Sequence, residues 1–106
     1  MLDDAFLWEA DLRGATLIDT RFRSASLYKT NLAGMDLRRA MLGGAWLADA
    51  NLSNADLSGV DLTLANLSGA NLKGARLEGV IWSKTVCRDG SISDEHGGTC
   101  VGHLGL

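Results

Sequence analysis

A large apolar residue recurs at every fifth position through most of this chain, and this period restricts the possible folds more than any other feature. Residues 5–84 divide into 16 blocks of five, and the centre of the block is leucine in 14 of them. Two positions before the centre the residue is usually small, and it is alanine in 11 blocks. The predicted core consists of the 16 central side chains: Leu7, Leu12, Leu17, Phe22, Leu27, Leu32, Leu37, Leu42, Leu47, Leu52, Leu57, Leu62, Leu67, Leu72, Leu77 and Trp82.

A period of five fits neither of the ordinary secondary structures. A helix needs apolar spacings of three and four, and a strand needs strict alternation. A short fixed repeat instead indicates a solenoid, in which each repeat buries its apolar side by stacking on its neighbours. Glycine often ends the block, as at Gly34 and Gly59, which suits tight turns. Proline is absent, as expected where backbone donors join a continuous hydrogen-bond ladder.

Blocks such as Ala50-Asn51-Leu52 and Ala55-Asp56-Leu57 resemble the repeat of the pentapeptide repeat proteins, [Ala/Ser/Thr/Val]-[Asp/Asn]-[Leu/Phe]-x-x. The resemblance covers about three quarters of the chain in an unbroken tandem. It implies an all-β fold, a right-handed quadrilateral β-helix of about four coils, in which each coil has four sides and each side is one block. The β-helix is expected over residues 1–84, and a Gly-rich capping tail over residues 85–106.

Composition indicates a single domain and excludes several classes of function. The net charge is −3, and 10 basic residues are interspersed with 13 acidic ones, so no basic stripe favours direct nucleic-acid binding. No apolar run is long enough to span a membrane. The acidic start Met1-Leu2-Asp3-Asp4 argues against a signal peptide, which favours the cytoplasm by default. A disulfide would instead suit an exported or periplasmic protein, so the localisation stays open.

Residues one coil apart are expected to stack on one side of the solenoid, so the surface can be read in columns. One corner column alternates in charge through Glu9, Lys29 and Asp49, and Asp19 would lie over Arg39. Such exposed pairs contribute about 0.2–1 kcal/mol each. We interpret them as solvated ladders that help to set the register.

Two further groups of polar residues are interpreted as structural. One column of asparagines is predicted to form a ladder of side-chain hydrogen bonds. A group of arginines near the first two coils is interpreted as a solvated face, partly neutralised by neighbouring aspartates, with a site for phosphate or an acidic partner as the alternative. The asparagines are Asn31, Asn51 and Asn71, and the arginines are Arg21, Arg23, Arg38 and Arg39.

The outward positions of the first side carry four of the six aromatic residues. Phe6, Trp8, Tyr28 and Trp46 flank the centres of the first three coils on that side. A contiguous exposed aromatic patch usually marks an interface. We predict an interaction patch for a protein partner, which includes a second copy of this chain. The alternative is that an N-terminal segment covers the patch.

The tail resembles one found in many bacterial members of the family, in which Cys-Pro-Asp-Gly-Thr precedes Gly-Gly-Thr-Cys-Val-Gly-His. Here the segment Cys87-Arg88-Asp89-Gly90-Ser91 departs from it at two positions and keeps the cysteine spacing. The resemblance implies a disulfide between Cys87 and Cys100. Free thiols and a zinc site formed with His96 and His103 are the alternatives, although the spacing matches no common zinc finger.

No residue pattern predicts catalysis or a cofactor. A nucleophile and base pair could be drawn from Cys100 and His103, but the sequence shows no third group and no oxyanion pocket for them. The sequence therefore predicts a non-catalytic structural or protein-interaction module with no metal and no cofactor. Two alternatives are a DNA-mimic protein that binds and protects a type II topoisomerase such as gyrase, as some members of the family do, and an end-to-end or side-to-side homo-oligomer.

Overall fold

The chain winds as a solenoid in which each block stacks on the fourth block after it. The computed structural model describes residues 2–100, except for the side chains of residues 95 and 96. Within it, parallel β-bridges join equivalent residues of consecutive coils, as in the column Asn31, Asn51 and Asn71. These bridges are isolated single-residue contacts, and the one helix of the described chain is the 3₁₀ helix Ser93–His96. We number the coils one to four as residues 5–24, 25–44, 45–64 and 65–84, and their sides by the centres Leu7, Leu12, Leu17 and Phe22.

A tight turn follows each block centre. The carbonyl oxygen of Leu7, for example, accepts a hydrogen bond from the N–H of Ala10 at 3.2 Å. The second residue after the centre lies in the left-handed region, with φ of 69° at Gly34 and 63° at Leu64. Glycine was expected there, yet aspartate, asparagine, serine, lysine and other residues also adopt a positive φ at this position. The coil therefore imposes this backbone conformation whichever residue occupies the position.

Two substitutions should show that this conformation has an energetic cost. Gly34→Ala should lower the free energy of unfolding by about 1 kcal/mol, because only its φ is unfavourable and its added Cβ contacts nothing within 4 Å. Leu64→Gly should raise it by about 0.5 kcal/mol, because relief of the left-handed conformation outweighs the entropy of glycine. Urea denaturation measures both changes. Unchanged midpoints for both variants would contradict the prediction.

The core consists of four columns of large apolar side chains, one column per side, that fill the interior of the coil. Of the 16 predicted core residues, 12 are buried, from Leu17 to Leu72. The other four are only half-buried, because residues in the end coils have a neighbouring coil on one side only. These four are Leu7, Leu12, Leu77 and Trp82, and all of them pack against the buried cluster.

Asp or Asn just before a centre has a specific structural role. All eight such residues accept a hydrogen bond on their Oδ1 from the backbone N–H two residues further on, as Asp56 does from Ser58 at 3.0 Å. This N–H points away from the ladder that joins the coils, so the side chain supplies its acceptor. The predicted asparagine ladder is therefore wrong: Asn51 Oδ1 bonds to Ser53 of its own block, and no bond between asparagine side chains occurs in the described chain.

The tail reverses direction after a fifth turn onto the first side. Val86 pairs in parallel with Asn66, two residues beyond the expected end of the β-helix, and then in antiparallel with Ile92. The reversal uses a tight turn, in which Gly90 has a φ of 86° and its N–H bonds to the Cys87 oxygen at 2.9 Å. Ile92 therefore does not continue the five-residue repeat.

The returning segment caps part of the last coil. The Ser93 N–H bonds to the Thr85 oxygen at 2.8 Å, and the Thr85 N–H bonds to Ser93 Oγ at 3.0 Å. The N–H of Lys84 bonds to Asp94 Oδ1 at 2.8 Å. Backbone groups at the end of the solenoid are thereby satisfied, which removes one open edge.

A disulfide fastens this cap. Cys87 and Cys100 are bonded, their Cα atoms are 5.5 Å apart, and both are buried. The predicted disulfide is confirmed. The two sulfurs are bonded to each other, so neither is a thiolate ligand for the alternative zinc site. His103 lies outside the described residues, as does the side chain of His96.

Candidate interaction surface

Four aromatic side chains form one continuous cluster on the first side. The rings of Tyr28 and Trp46 stack, with centroids 4.8 Å apart and an interplanar angle of 19°. Trp8 meets both edge to face, at 5.9 Å from Tyr28 and 5.7 Å from Trp46. Phe6 extends the cluster along the first coil, 6.2 Å from Trp8. The structure thus brings together all four residues of the predicted patch, which we call the aromatic cluster.

The stacking of the coils explains why these rings meet. Successive coils are spaced like the strands of a sheet, about 4.8 Å apart, so side chains on one side of consecutive coils are cross-strand neighbours. Ala48, beside Tyr28 on the next coil, is small and buried, which leaves room for the large rings. Phe6, Trp8 and Trp46 nevertheless stay 79%, 52% and 37% exposed. Aromatic rings of this exposure in one contiguous group are unusual on a protein that functions alone.

Three charged residues line the corner beside the aromatic cluster. The Lys29 ammonium lies 5.2 Å from the centroid of the Tyr28 ring, a cation–π contact. The predicted charge ladder of this corner is wrong, because Lys29 forms no ion pair with Glu9 or Asp49 in the described structure. Attraction to the ring face competes with the carboxylates for the ammonium. Within the described residues, Lys29 and Asp49 are therefore charges without an ionic partner at the rim of the aromatic cluster.

Aspartates neutralise three members of the arginine group. Arg39 pairs with Asp19 at 2.8 Å, which confirms the predicted contact between neighbouring coils. Arg38 pairs with Asp36 of its own block at 2.6 Å. These bonds keep the positive charge balanced, which supports a solvated face rather than a phosphate site.

Arg21, the third member, pairs with Asp3 at 2.6 Å. Blocks that begin at residue 5 do not predict this contact. The repeat begins one block earlier, and Asp3 lies in that earlier block. Leu2 packs against the core, and its N–H bonds to the Arg21 oxygen at 2.8 Å. Asp4 has the positive φ of a block end. The apolar centre Leu2, five positions before Leu7, was the signal that could have revealed this block.

Several aspartates are held in their charged form. Hydrogen bonds from the Arg13 side chain and backbone lower the pKa of Asp11 to about 2 from its ordinary 3.8. Bonds from Arg21, Arg38 and Ser58 likewise lower the pKa of Asp3, Asp36 and Asp56. These carboxylates stabilise the fold above the unfolded-state pKa, and their contribution is lost as pH falls through the lower folded-state pKa.

The free energy of unfolding should therefore fall between about pH 4 and pH 2. Urea denaturation at pH 7, 4 and 2.5 measures this change. Asp11→Asn keeps the acceptor for the Arg13 N–H and removes the charge, so this variant should show a weaker dependence on pH. The effect of one site should be small, because the pair is exposed. A variant with the full pH dependence of the wild type would argue against Asp11.

Side chains fill the interior of the described solenoid. No group of three His, Cys, Asp or Glu side chains among residues 2–100 is arranged to hold a metal ion. No pocket opens between the described side chains, because leucines fill the interior. None of the helices in the described part of the chain has the length and apolarity of a membrane span.

Comparison with known proteins identifies the family. The family model for pentapeptide repeats (8 copies) matches residues 7–44, 17–53 and 45–81, which together cover well over half of the chain. The chain is a pentapeptide repeat protein. Its fold is accordingly the right-handed quadrilateral β-helix of that family, which confirms the predicted family and fold.

Solved structures agree with this assignment. A pentapeptide repeat protein from Nostoc PCC 7120 is 32% identical, with a TM-score of 0.63 over 85% of this chain and 71% of that one. Another, from the thylakoid lumen of Arabidopsis thaliana, is 27% identical, with a TM-score of 0.63 over 78% and 68%. QnrB1, a plasmid-mediated fluoroquinolone resistance protein, is 22% identical with a TM-score of 0.65, over 70% of this chain and 38% of its own, and shows the fold alone. The sequence matches no curated protein.

Proposed function

We propose that this pentapeptide repeat protein is a non-catalytic module that binds a protein partner through the first side of its coil. The observation that carries the proposal is the aromatic cluster, whose rings contact one another and remain exposed. Aromatic residues dominate the binding energy of protein interfaces because they bury large apolar areas with little loss of side-chain entropy.

The rigidity of the coil supports the same proposal. Phe6, Tyr28 and Trp46 stand on backbone that is hydrogen-bonded to the next coil, for example Leu27 N to Trp46 O at 2.8 Å. A binding surface on such a scaffold needs little ordering when the partner arrives, so less free energy is lost on association. The ring contacts also hold the side chains in place before binding.

DNA mimicry has less support from the distribution of charge. A DNA mimic needs rows of free carboxylates, whereas Asp3, Asp11, Asp19 and Asp36 are each paired with an arginine. The likeness to QnrB1 concerns the fold alone. We therefore do not extend the resistance function of that protein to this one.

Removal of two rings tests the proposal. Trp8→Ala combined with Trp46→Ala should weaken capture of protein partners from a lysate of the source cells by at least about tenfold, as expected for two interface aromatics. Ile81→Ala is a matched control, because Ile81 is 51% exposed and lies on the fourth side, away from the aromatic cluster. Quantitative mass spectrometry of the captured proteins is the measurement. An unchanged set of proteins with the double variant would remove the aromatic cluster from the interface.

A further inference from the structure

The corner beside the aromatic cluster carries opposite charges on consecutive coils. Lys29 stands on coil two and Asp49 on coil three, and neither has an ionic partner among the residues that the structure describes. Glu9 stands at the same corner on coil one, and the uncharged Gly69 on coil four. The first side is therefore an apolar surface with a defined pattern of charge along one edge.

This pattern is complementary to itself in two registers: one sets Glu9 opposite Lys29 and overlaps only coils one and two, and the other overlaps all four coils. Consider two copies that face each other through their first sides. Their two-fold axis lies within the interface and is perpendicular to the long axis of the solenoid. Each column then faces the same column of the partner in reverse order. An axis between coils two and three sets Lys29 opposite the partner's Asp49, and Asp49 opposite the partner's Lys29. An axis through coil two would oppose two lysines, and one through coil three would oppose two aspartates.

The sizes of the outward side chains fit the same register. Coil one carries the bulky Phe6 and Trp8 on this side, whereas coil four carries the shorter Asn66 and Ser68. In reverse order, the two rings of one copy lie against the short side chains of the other. Glu9 meets the partner's Gly69, over which the carboxylate of the partner's Asp49 lies. The surface thus opposes bulky groups to short ones on coils one and four, and Lys29 to the partner's Asp49 along its edge.

We infer that the first side is the interface of an antiparallel, two-fold symmetric homodimer in which Lys29 pairs with the partner's Asp49. The inference rests on the proposed function of the aromatic cluster and names a second copy of this chain as its partner. The extents of the molecule, 33 × 25 × 22 Å, limit any one face to about the 800 Å² per partner of a standard interface. The face is therefore large enough for a specific dimer, whose affinity depends on the quality of its contacts rather than on the area.

A charge exchange tests the register. Sedimentation equilibrium of the full chain, from about 1 μM to 1 mM, should detect a concentration-dependent dimer. Lys29→Asp and Asp49→Lys should each weaken the dimer at least about tenfold, because each sets like charges opposite one another. The double variant exchanges both charges and should restore the dissociation constant to within about threefold of wild type. Glu78→Lys makes the same change of charge on the third side, away from the proposed interface; it is the matched control and should change the dissociation constant by less than about threefold.

The outcomes separate this inference from the proposed function. A wild-type chain that stays monomeric at 1 mM would overturn the dimer, as would a double variant no tighter than its parents. Circular dichroism melting of each variant shows whether a loss of dimer reflects unfolding. Recovery of the dimer in the double variant would show that the single variants lost it through repulsion of like charges. If dimer formation fails these tests while Trp8→Ala with Trp46→Ala still abolishes partner capture, the aromatic cluster binds another protein. If both fail, the first side is not an interface.

Discussion

Replacing Leu52 by aspartate should abolish folding at neutral pH. Leu52 is fully buried on coil three, in a column between Leu32 and Leu72. The substitution removes about 1.5–3 kcal/mol of apolar burial, and enclosing an ionised carboxylate adds several kcal/mol. The sum is comparable with the whole stability of a small domain, about 5–15 kcal/mol. Circular dichroism should show the loss of the β signal, and urea should no longer produce a cooperative transition.

The solenoid makes this effect more severe than in a globular domain of equal size. Each coil contacts only its neighbours, so stability is approximately a sum over adjacent coils. A defect on coil three separates the coils before it from coil four and the cap. Neither piece has enough neighbours to replace the lost interface. We therefore expect loss of the whole transition and not a local opening.

The adjacent residue provides a matched control. Asn51→Asp introduces the same side chain one position earlier, where it points outward. Its Oδ1 can still accept from the Ser53 N–H, as Asp56 does from Ser58 in the next block. This variant should unfold within about 0.5 kcal/mol of wild type. Leu52→Ala should lose about 2–5 kcal/mol, which gives a graded value if the aspartate variant cannot be purified. Equal melting of the two aspartate variants would contradict an inward Leu52.

The side chains that point inward could be predicted from the sequence, because the repeat constrains how they pack. The period identifies which side chains point inward, and the interior holds large apolar groups at the centre and mostly small groups two positions before it. Thr30 shows how an exception is accommodated: its buried hydroxyl donates to the Leu7 oxygen of the preceding coil at 2.7 Å. The end coils were less predictable, since burial there depends on neighbours that the repeat does not supply.

The contacts of the outward side chains were less predictable, because several partners compete for each exposed side chain. The stacking of coils places Lys29 near Glu9 and Asp49, yet its ammonium lies over the Tyr28 ring. Asn31 likewise has a neighbouring asparagine, yet its oxygen accepts from the backbone N–H of the residue two positions on. The column in which a residue lies limits which side chains it can contact. The possible contacts differ too little in free energy for the sequence spacing to predict which one forms. The aromatic cluster was predictable because its rings are large and stand on neighbouring positions of consecutive coils, about 4.8 Å apart.

Breaking the disulfide should have the second largest effect. Cys87 and Cys100 are 13 positions apart, and closing a loop of this size stabilises the folded state by about 3 kcal/mol on the chain-entropy model. Cys87→Ala with Cys100→Ala should lower the free energy of unfolding by about that amount, measured in urea. Dithiothreitol should destabilise the wild type similarly and leave the double variant unchanged. This comparison separates the bond from any other effect of the reductant.

Hydrogen exchange should show that the loss begins at the cap. The amides of Thr85 and Ser93 bond across the returning segment, whereas the amide of Asn51 bonds to the Thr30 oxygen inside the solenoid. Without the disulfide, the Thr85 and Ser93 amides should exchange faster by a larger factor than the Asn51 amide, because the cap can open while coils two and three stay folded. Equal acceleration at all three sites would mean that the cap and the coils unfold as one unit. The bond would then stabilise the whole solenoid and not its end, and the capping role assigned to residues 85–100 would be wrong.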